Sequence, residues 1–167
     1  FSEGMEKYPE RIDFYERAAR IETFREKPED ALAIVEKGLA AFPMGSKFDR
    51  LGMPAALGLS NIKVEVLISK DFEGVKKESA ALRELNNERV NAVADFHQAR
   101  MTAVDEKWAD AAAQLRNVRP RLLGFSELQA LAAAIQGFCH TQLGQFDLAL
   151  EAYKASLAIN PELPQAK

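Results

Sequence analysis

The amino-acid sequence predicts an all-α fold built of antiparallel helix hairpins. In residues 146–157, apolar residues recur at intervals of three and four, as they do on one buried helix face. These residues are Phe146, Ala149, Leu150, Tyr153 and Leu157. Gly144 suits a left-handed turn before this helix, and Pro161 cannot continue it, so two helices meet at a tight turn. Similar turn residues recur at Pro28, Phe72, Trp108 and Phe146, and the nearly equal spacing of the last three indicates a repeated helix pair.

Composition limits the classes of protein that the chain can represent. Its 167 residues are 47% hydrophobic and 28% charged, which is typical of a single folded domain. The net charge of −3, with both signs mixed, gives no electrostatic footprint for nucleic acid. No apolar run approaches the ~20 residues of a membrane span, so no membrane insertion is expected within these residues. The single cysteine, Cys139, fits a reducing compartment such as the cytoplasm without fixing the localisation, and the oligomeric state stays open.

The last predicted hairpin carries a motif. It runs Ala133-x2-Gln136-Gly137-x2-His140, then Ala149-x3-Tyr153, then Pro161. This resembles the tetratricopeptide repeat, whose pattern is W-x2-L-G-x2-Y, then A-x3-F, then P. The glycine, the alanine, the aromatic residue and the proline match, whereas Ala133, Gln136 and His140 stand where the family has large apolar residues. The small residues Gly137 and Ala149 are expected to let the two helices approach closely.

The resemblance implies a right-handed superhelical solenoid of about four antiparallel helix hairpins in one domain, residues 1–167. The expected repeats, of which the second and third are divergent, are residues 11–43, 55–87, 88–121 and 126–161. The sequence GMEKYP at residues 4–9 is echoed by GLAAFP at residues 38–43, a separation of one tetratricopeptide unit. Residues 1–10 are therefore expected to be the tail of a preceding repeat and residues 162–167 the start of a next segment, in a fragment of a longer array.

Three local predictions accompany this division. The alternating segment Asn61–Ile68 is compatible with a strand, but a helix is favoured because no second strand is available to pair with it. The loop at residues 44–54 contains Gly45, Gly52 and Pro54 and is expected to be non-helical, which accounts for the longer gap between the first two turns. Ser126 and Gln129 have the spacing of a capping box at the start of a helix.

No convincing set of catalytic residues is found. Cys139 and His140 are neighbours on a predicted helix and point about 100° apart, so they cannot pair as nucleophile and base. Cys139 is expected to be a buried structural residue and His140 a hydrogen-bonded core histidine. His97 and His140 are the only histidines and lack metal-site spacing, and there is no glycine-rich phosphate loop, so no metal, cofactor or enzymatic activity is expected. The charged run at residues 76–78 is expected to be a solvated helix face.

The resemblance implies that the first helices of the repeats line a concave groove that binds a protein or peptide partner. The expected groove residues are Arg17, Arg20, Asn61, Val64, Leu67, Phe96, His97, Arg100, Leu131, Ile135 and Phe138. The set is mixed in character, which suits an apolar or helical segment better than a clamp for a terminal carboxylate. In the alternative interpretation, the three groove residues of the last repeat pack against the neighbouring repeat.

Three hypotheses for function follow. The first is a non-catalytic interaction or scaffold module that binds a peptide or helical segment in its groove. The alternative is a regulatory or substrate-presenting repeat region of a larger enzyme or of a secretion or assembly protein. The third is an independent enzyme with an all-helical fold, which the lack of a reactive cluster disfavours.

Overall fold

A computed structural model describes residues 7–49 and 52–163 of the chain. Eight α-helices have their bounds within these residues. They are α1 Ile12–Phe24, α2 Pro28–Ala41, α3 Leu57–Leu67, α4 Phe72–Arg83, α5 Glu88–Val104, α6 Trp108–Val118, α7 Ser126–Gln142 and α8 Phe146–Ile159. A short 3-10 helix, Arg119–Leu122, follows α6. Since the described part of the chain contains only one isolated β-bridge and no strand, the all-α prediction is confirmed.

Two of the local predictions hold. The segment predicted as helix rather than strand lies in α3 and at its end, where the Ile68 N–H donates to the Val64 carbonyl at 2.9 Å. The breaker-rich loop contains no helix among its described residues, and Gly45 and Gly52 adopt φ values of 80° and 72°. The predictions made for residues 1–6 and 164–167, at the two ends of the chain, lie outside the described residues.

The chain divides into two compact units. Residues 1–81 form the first unit, which contains α1 to α3 and most of α4. In its core the rings of Tyr15 and Phe42 meet edge to face at 6.0 Å, beside buried Leu59 and Ile62.

The second unit, residues 82–167, repeats one hairpin. Its two longer helices, α5 and α7, begin at Glu88 and Ser126, and each contains 17 residues. The shorter helices α6 and α8 begin at Trp108 and Phe146, with the same separation along the chain as α5 and α7. The repeat that the turn spacing indicated is therefore present in this unit.

The same three-residue turn joins α1 to α2, α5 to α6 and α7 to α8. In the first of these turns, the Lys27 N–H donates to the Glu22 carbonyl at 2.9 Å and the Glu26 N–H to the Thr23 carbonyl at 3.0 Å. The other two turns have the corresponding bonds, and this pair of bonds defines a Schellman motif. The middle residues Glu26, Glu106 and Gly144 have φ values of 59°, 60° and 70°. The left-handed turn predicted at Gly144 is confirmed, and the other two turns place a glutamate in the same conformation.

The connection between α3 and α4 is built differently. The N–H groups of Lys70 and Asp71 both donate to the Leu67 carbonyl, at 2.8 Å each. The Asp71 carboxylate then accepts the Gly74 N–H at 2.9 Å, which satisfies one of the free donors at the start of α4.

Close approach of helices at glycine is confirmed in the last hairpin. An ideal Cβ at Gly137 of α7 would lie 2.9 Å from two ring carbons of Tyr153 in α8. Gly38 of α2 has the same role in the first unit, because a Cβ there would lie 2.7 Å from Leu59 Cδ1 and 3.1 Å from Tyr15 Cβ. Neither position has room for a side chain unless its neighbours move.

The third local prediction is wrong, and so, wholly or in part, are two expectations for single side chains, His140 and Glu78. Ser126 is already the first residue of α7, so it cannot cap the helix, and the Gln129 amide instead donates to the Arg119 carbonyl at 3.4 Å. His140 is half-buried rather than in the core, although it is hydrogen-bonded, with Nδ1 2.7 Å from Gln145 Oε1. Glu78 is buried rather than solvated, because its Oε2 lies 3.3 Å from Lys63 Nζ of α3.

Candidate functional site

A partly exposed aromatic pair lies in the second unit, where α6 begins beside α7. The rings of Trp108 and Phe138 meet edge to face, with centroids 5.5 Å apart and planes at 85°. Phe138 is 44% exposed, and Val104, at the end of α5, is 46% exposed. Only the three-residue turn separates Val104 from Trp108. We refer to Val104, Trp108 and Phe138 as the aromatic surface.

The chemistry of the aromatic surface favours contact with another protein. Large side chains with little conformational freedom provide much of the binding energy at protein interfaces, and tryptophan is prominent among them. The indole N–H of a tryptophan also supplies a hydrogen-bond donor beside the apolar area. An apolar side chain of a partner could therefore be desolvated here while a polar group beside it stays bonded.

The predicted groove residues of the second unit divide by burial. Phe138 is exposed, and Arg100, Leu131 and Ile135 are half-buried. Phe96 and His97 are buried, with exposures of 0% and 1%, so the prediction that they line an open groove is wrong. The physical reason is that α5 has ten buried residues, which occupy most of its circumference. Helical spacing cannot identify the solvent side of such a helix.

Arg100 is placed over the ring of Phe96, with its guanidinium carbon 5.7 Å from the ring centroid. A cation–π contact at a partly exposed site contributes about 0.5–1 kcal/mol and favours this position of the arginine. The arginine nevertheless keeps part of its surface exposed, so it remains one of the candidate groove residues.

The predicted groove residues of the first unit also differ in how far they are buried. Arg17 and Arg20 of α1 are exposed, and Asn61 and Leu67 of α3 are half-buried. Val64 is fully buried, so its assignment to an open groove is wrong, and the reason is that this face of α3 packs into the core. The role of the remaining residues in binding stays a prediction.

The surroundings of His97 and Cys139 do not activate either side chain. Burial lowers the pKa of His97 to about 3, and the nearby Arg100 and Arg83 act in the same direction, so the imidazole is neutral. Burial raises the pKa of the Cys139 thiol to about 11, so the sulfur is protonated at neutral pH. Cys139 is therefore a buried, unreactive cysteine, as predicted. No three His, Cys, Asp or Glu side chains of the described ranges could together hold a metal ion.

Sequence reasoning missed Trp108 as part of a surface. It was interpreted as a turn residue, because a large aromatic residue at the start of a second helix matches the turns elsewhere in the chain. The available signal was that Trp108 is the single tryptophan of the chain and closely follows the end of a first helix. Its contact with Phe138, which is distant in the sequence, depends on how α6 packs against α7.

No family model matches the chain, and no curated protein matches it. Among solved structures the chain is similar to YrrB, a TPR protein with an unusual peptide-binding site. The two are 20% identical, the match covers 97% of this chain and 75% of that chain, and the TM-score is 0.46. A likeness of this size carries no argument about function. The description of the hairpins and of the aromatic surface therefore rests on the geometry of this chain alone. In residues 7–49 and 52–163, no helix combines the length and the apolar character needed to cross a bilayer.

Proposed function

We propose that the chain is a non-catalytic interaction module that binds an apolar or helical segment of a partner protein. The observation that carries this proposal is the contact between Trp108 and the exposed Phe138 in the second unit. Phe138 keeps 44% of its surface exposed although it packs against Trp108 of the neighbouring hairpin, and an aromatic pair of this kind is suited to anchor an interface.

The segment that suits this surface carries a large apolar side chain. Phe138 projects from the side of α7, and Trp108 lies at the start of α6, so the two rings belong to two neighbouring helices. An amphipathic helix that places one apolar residue against the outer sides of these two touching rings would bury area on both of them. The half-buried Leu131 and Ile135, on the same helix as Phe138, would extend the contact along α7.

The experiment is affinity enrichment of partners with the parent chain and with Phe138→Asp, followed by quantitative mass spectrometry. Placing a charge in the aromatic surface should reduce recovery of the specific partner at least ~10-fold, as expected for loss of an interface anchor. The interacting segment of that partner is then synthesised, and its affinity for both chains is measured by calorimetry.

The matched control is Phe24→Asp. Phe24 lies at the end of α1 in the first unit and is 91% exposed, so this variant makes the same chemical change at a position outside the aromatic surface. It should bind the segment as the parent does. Equal affinity of the Phe138→Asp variant, with its thermal unfolding unchanged, would remove the aromatic surface from the account.

The contribution of Arg17 and Arg20 to binding is tested in a separate experiment. Both are exposed on α1, and the pKa of the neighbouring Glu16 is raised by burial, an effect that Arg20 partly opposes. The double variant Arg17→Ala, Arg20→Ala tests whether the first unit contributes to binding.

The alternative, a regulatory or substrate-presenting region of a larger enzyme, would use the same surface and differs only in what the chain is joined to.

A further inference from the structure

An open groove lies between α6, α7 and α8 of the second unit. It consists of two adjoining depressions of about 250 and 430 Å³, which share Arg116, Gln136 and His140. The groove is open because its walls carry small side chains. They are Ala109, Ala112 and Ala113 on α6, and Ala152 and Ala155 on α8. The exposed leucines Leu143 and Leu148 also line it.

The polar groups of this groove are mainly hydrogen-bond donors. Arg119 Nη1 donates to Gln136 Oε1 at 3.3 Å, which occupies the carbonyl of that amide and leaves its N–H groups as the remaining donors. Gln136 is only 8% exposed, so packing around it holds its amide in place in the wall of the groove. The exposed guanidinium of Arg116 forms no ion pair with any described residue.

His140 is held in a fixed orientation at the same place. Its Nδ1 lies 2.7 Å from Gln145 Oε1, and an amide oxygen only accepts, so Nδ1 carries the hydrogen. Nε2 is then a hydrogen-bond acceptor, which suits a backbone N–H of a bound peptide. Glu151 is the single acidic residue among those that line the two depressions, against two arginines.

We propose that this groove, defined by Arg116, Arg119, Gln136 and His140, binds an acidic peptide segment. A carboxylate accepts from the Arg116 guanidinium, and the apolar residue beside it lies on the alanine walls. Charge complementarity supports the carboxylate, because the groove has two guanidinium groups and one carboxylate. The apolar lining of the groove supports a peptide over a free anion.

This site is independent of the aromatic surface, since it uses α6, α7 and α8 at other residues. It adds a second type of ligand to an interaction module, so the two proposals can fail separately. Sequence reasoning missed it because the candidate residues were sought only on the first helices of the hairpins, whereas Arg116 belongs to the second helix α6.

The test is a nuclear magnetic resonance titration of the isotope-labelled chain with an acetylated and amidated peptide that has one glutamate between two leucines. Shifts are expected at residues 116, 119, 136 and 140, including the side-chain signals of the arginines and the amide. The same peptide with glutamine in place of glutamate should bind about 10-fold more weakly, because it loses the charge-assisted hydrogen bond.

Two variants make the test specific. Arg116→Glu should lose binding at least ~10-fold, whereas Lys37→Glu, which makes the same charge change at an exposed residue of α2 in the first unit, should leave it unchanged. Ala113→Phe fills the groove without altering charge, and it should also abolish binding. Both groove positions are exposed, so the variants should fold, and circular dichroism checks this.

Each remaining outcome overturns the proposal. Equal binding of the glutamine peptide shows that no carboxylate is recognised. Equal shifts from inorganic phosphate at the same concentration show a general anion site and not a peptide site. Shifts confined to residues 104, 108 and 138 place the peptide on the aromatic surface, which supports the proposed function and removes the groove.

Discussion

Substitution of Gly137 tests the close approach of α7 and α8. An ideal Cβ at this position would lie 2.9 Å from Tyr153 Cδ1 and Cε1 and 3.1 Å from Cγ. Carbon atoms in good contact are about 3.5–4.0 Å apart, so the ring or the helix must move by about half an ångström or more. Leucine would add three further carbon atoms beyond this Cβ, in the same place.

Two opposing terms set the magnitude. Overpacking a helix interface costs about 1–3 kcal/mol, and leucine belongs at the upper end because its branched end faces the ring. Replacing a glycine in a helix interior raises the free energy of unfolding by about 0.5–1 kcal/mol. Gly137→Leu should therefore lower the free energy of unfolding by about 2 kcal/mol. Gly137→Ala should lower it by about 1 kcal/mol or less, because its smaller overpacking is largely offset.

The assay is urea denaturation followed by far-ultraviolet circular dichroism, with the midpoint and slope compared between variants. A Tyr153→Ala background removes the ring that the new Cβ would meet. In that background Gly137→Ala should become stabilising by about 0.5–1 kcal/mol, since only the helix propensity remains.

The exposed position Ala158 of α8 provides the control, and Ala158→Leu should change stability by less than about 0.5 kcal/mol. A Gly137→Leu chain as stable as the parent would refute the reasoning, and so would a Gly137→Ala effect that is the same with and without the Tyr153 ring.

Three further predictions concern stability. Glu26→Gly and Glu106→Gly should each raise the free energy of unfolding by about 1 kcal/mol, because both residues have positive φ; an unchanged urea midpoint would contradict this. Glu78→Gln should cost about 1–3 kcal/mol, since it leaves the partly buried ammonium of Lys63 without its carboxylate, and a thermal melt that matches the parent would show that the pair contributes nothing. Burial raises the pKa of Asp95, but hydrogen bonds from Arg121 and Arg83, at 2.7 and 2.8 Å, outweigh this and lower it. Asp95 therefore contributes stability above about pH 4 that is lost as the pH falls through its folded-state pKa. Asp95→Asn should lower the free energy of unfolding by about 0.5–1 kcal/mol at neutral pH and by less in acid. A difference in stability between variant and parent that does not change with pH would exclude this linkage.

Much of the fold could be predicted because it follows from local rules. The three-and-four spacing placed the helices, and Pro28, Gly144 and Pro161 marked helix starts and ends. The role of Gly137 could be predicted because a glycine in the middle of a helix of a hairpin indicates that the neighbouring helix packs closely against it. Glu26 and Glu106 were not recognised as left-handed residues, because glycine usually occupies that position and a glutamate there gives no local signal.

The parts that failed depend on contacts between helices. Phe96 and His97 were assigned to an open face because spacing alone cannot show that α5 is buried on most sides. The charge on Glu78 indicated a solvated face, and only the position of Lys63 on α3 explains its burial. The groove at Arg116 was missed for the same reason, since it is formed by three helices that meet only in the folded unit.

The fluorescence of Trp108, measured while the partner segment is added, tests the central claim most directly, because the chain contains a single tryptophan. The account predicts a shift of the emission to shorter wavelength as the indole is desolvated, with the same affinity as in calorimetry, and no shift in the Phe138→Asp variant. An unchanged emission from a parent chain that binds the segment would show that binding occurs elsewhere and would contradict the proposed function of the aromatic surface.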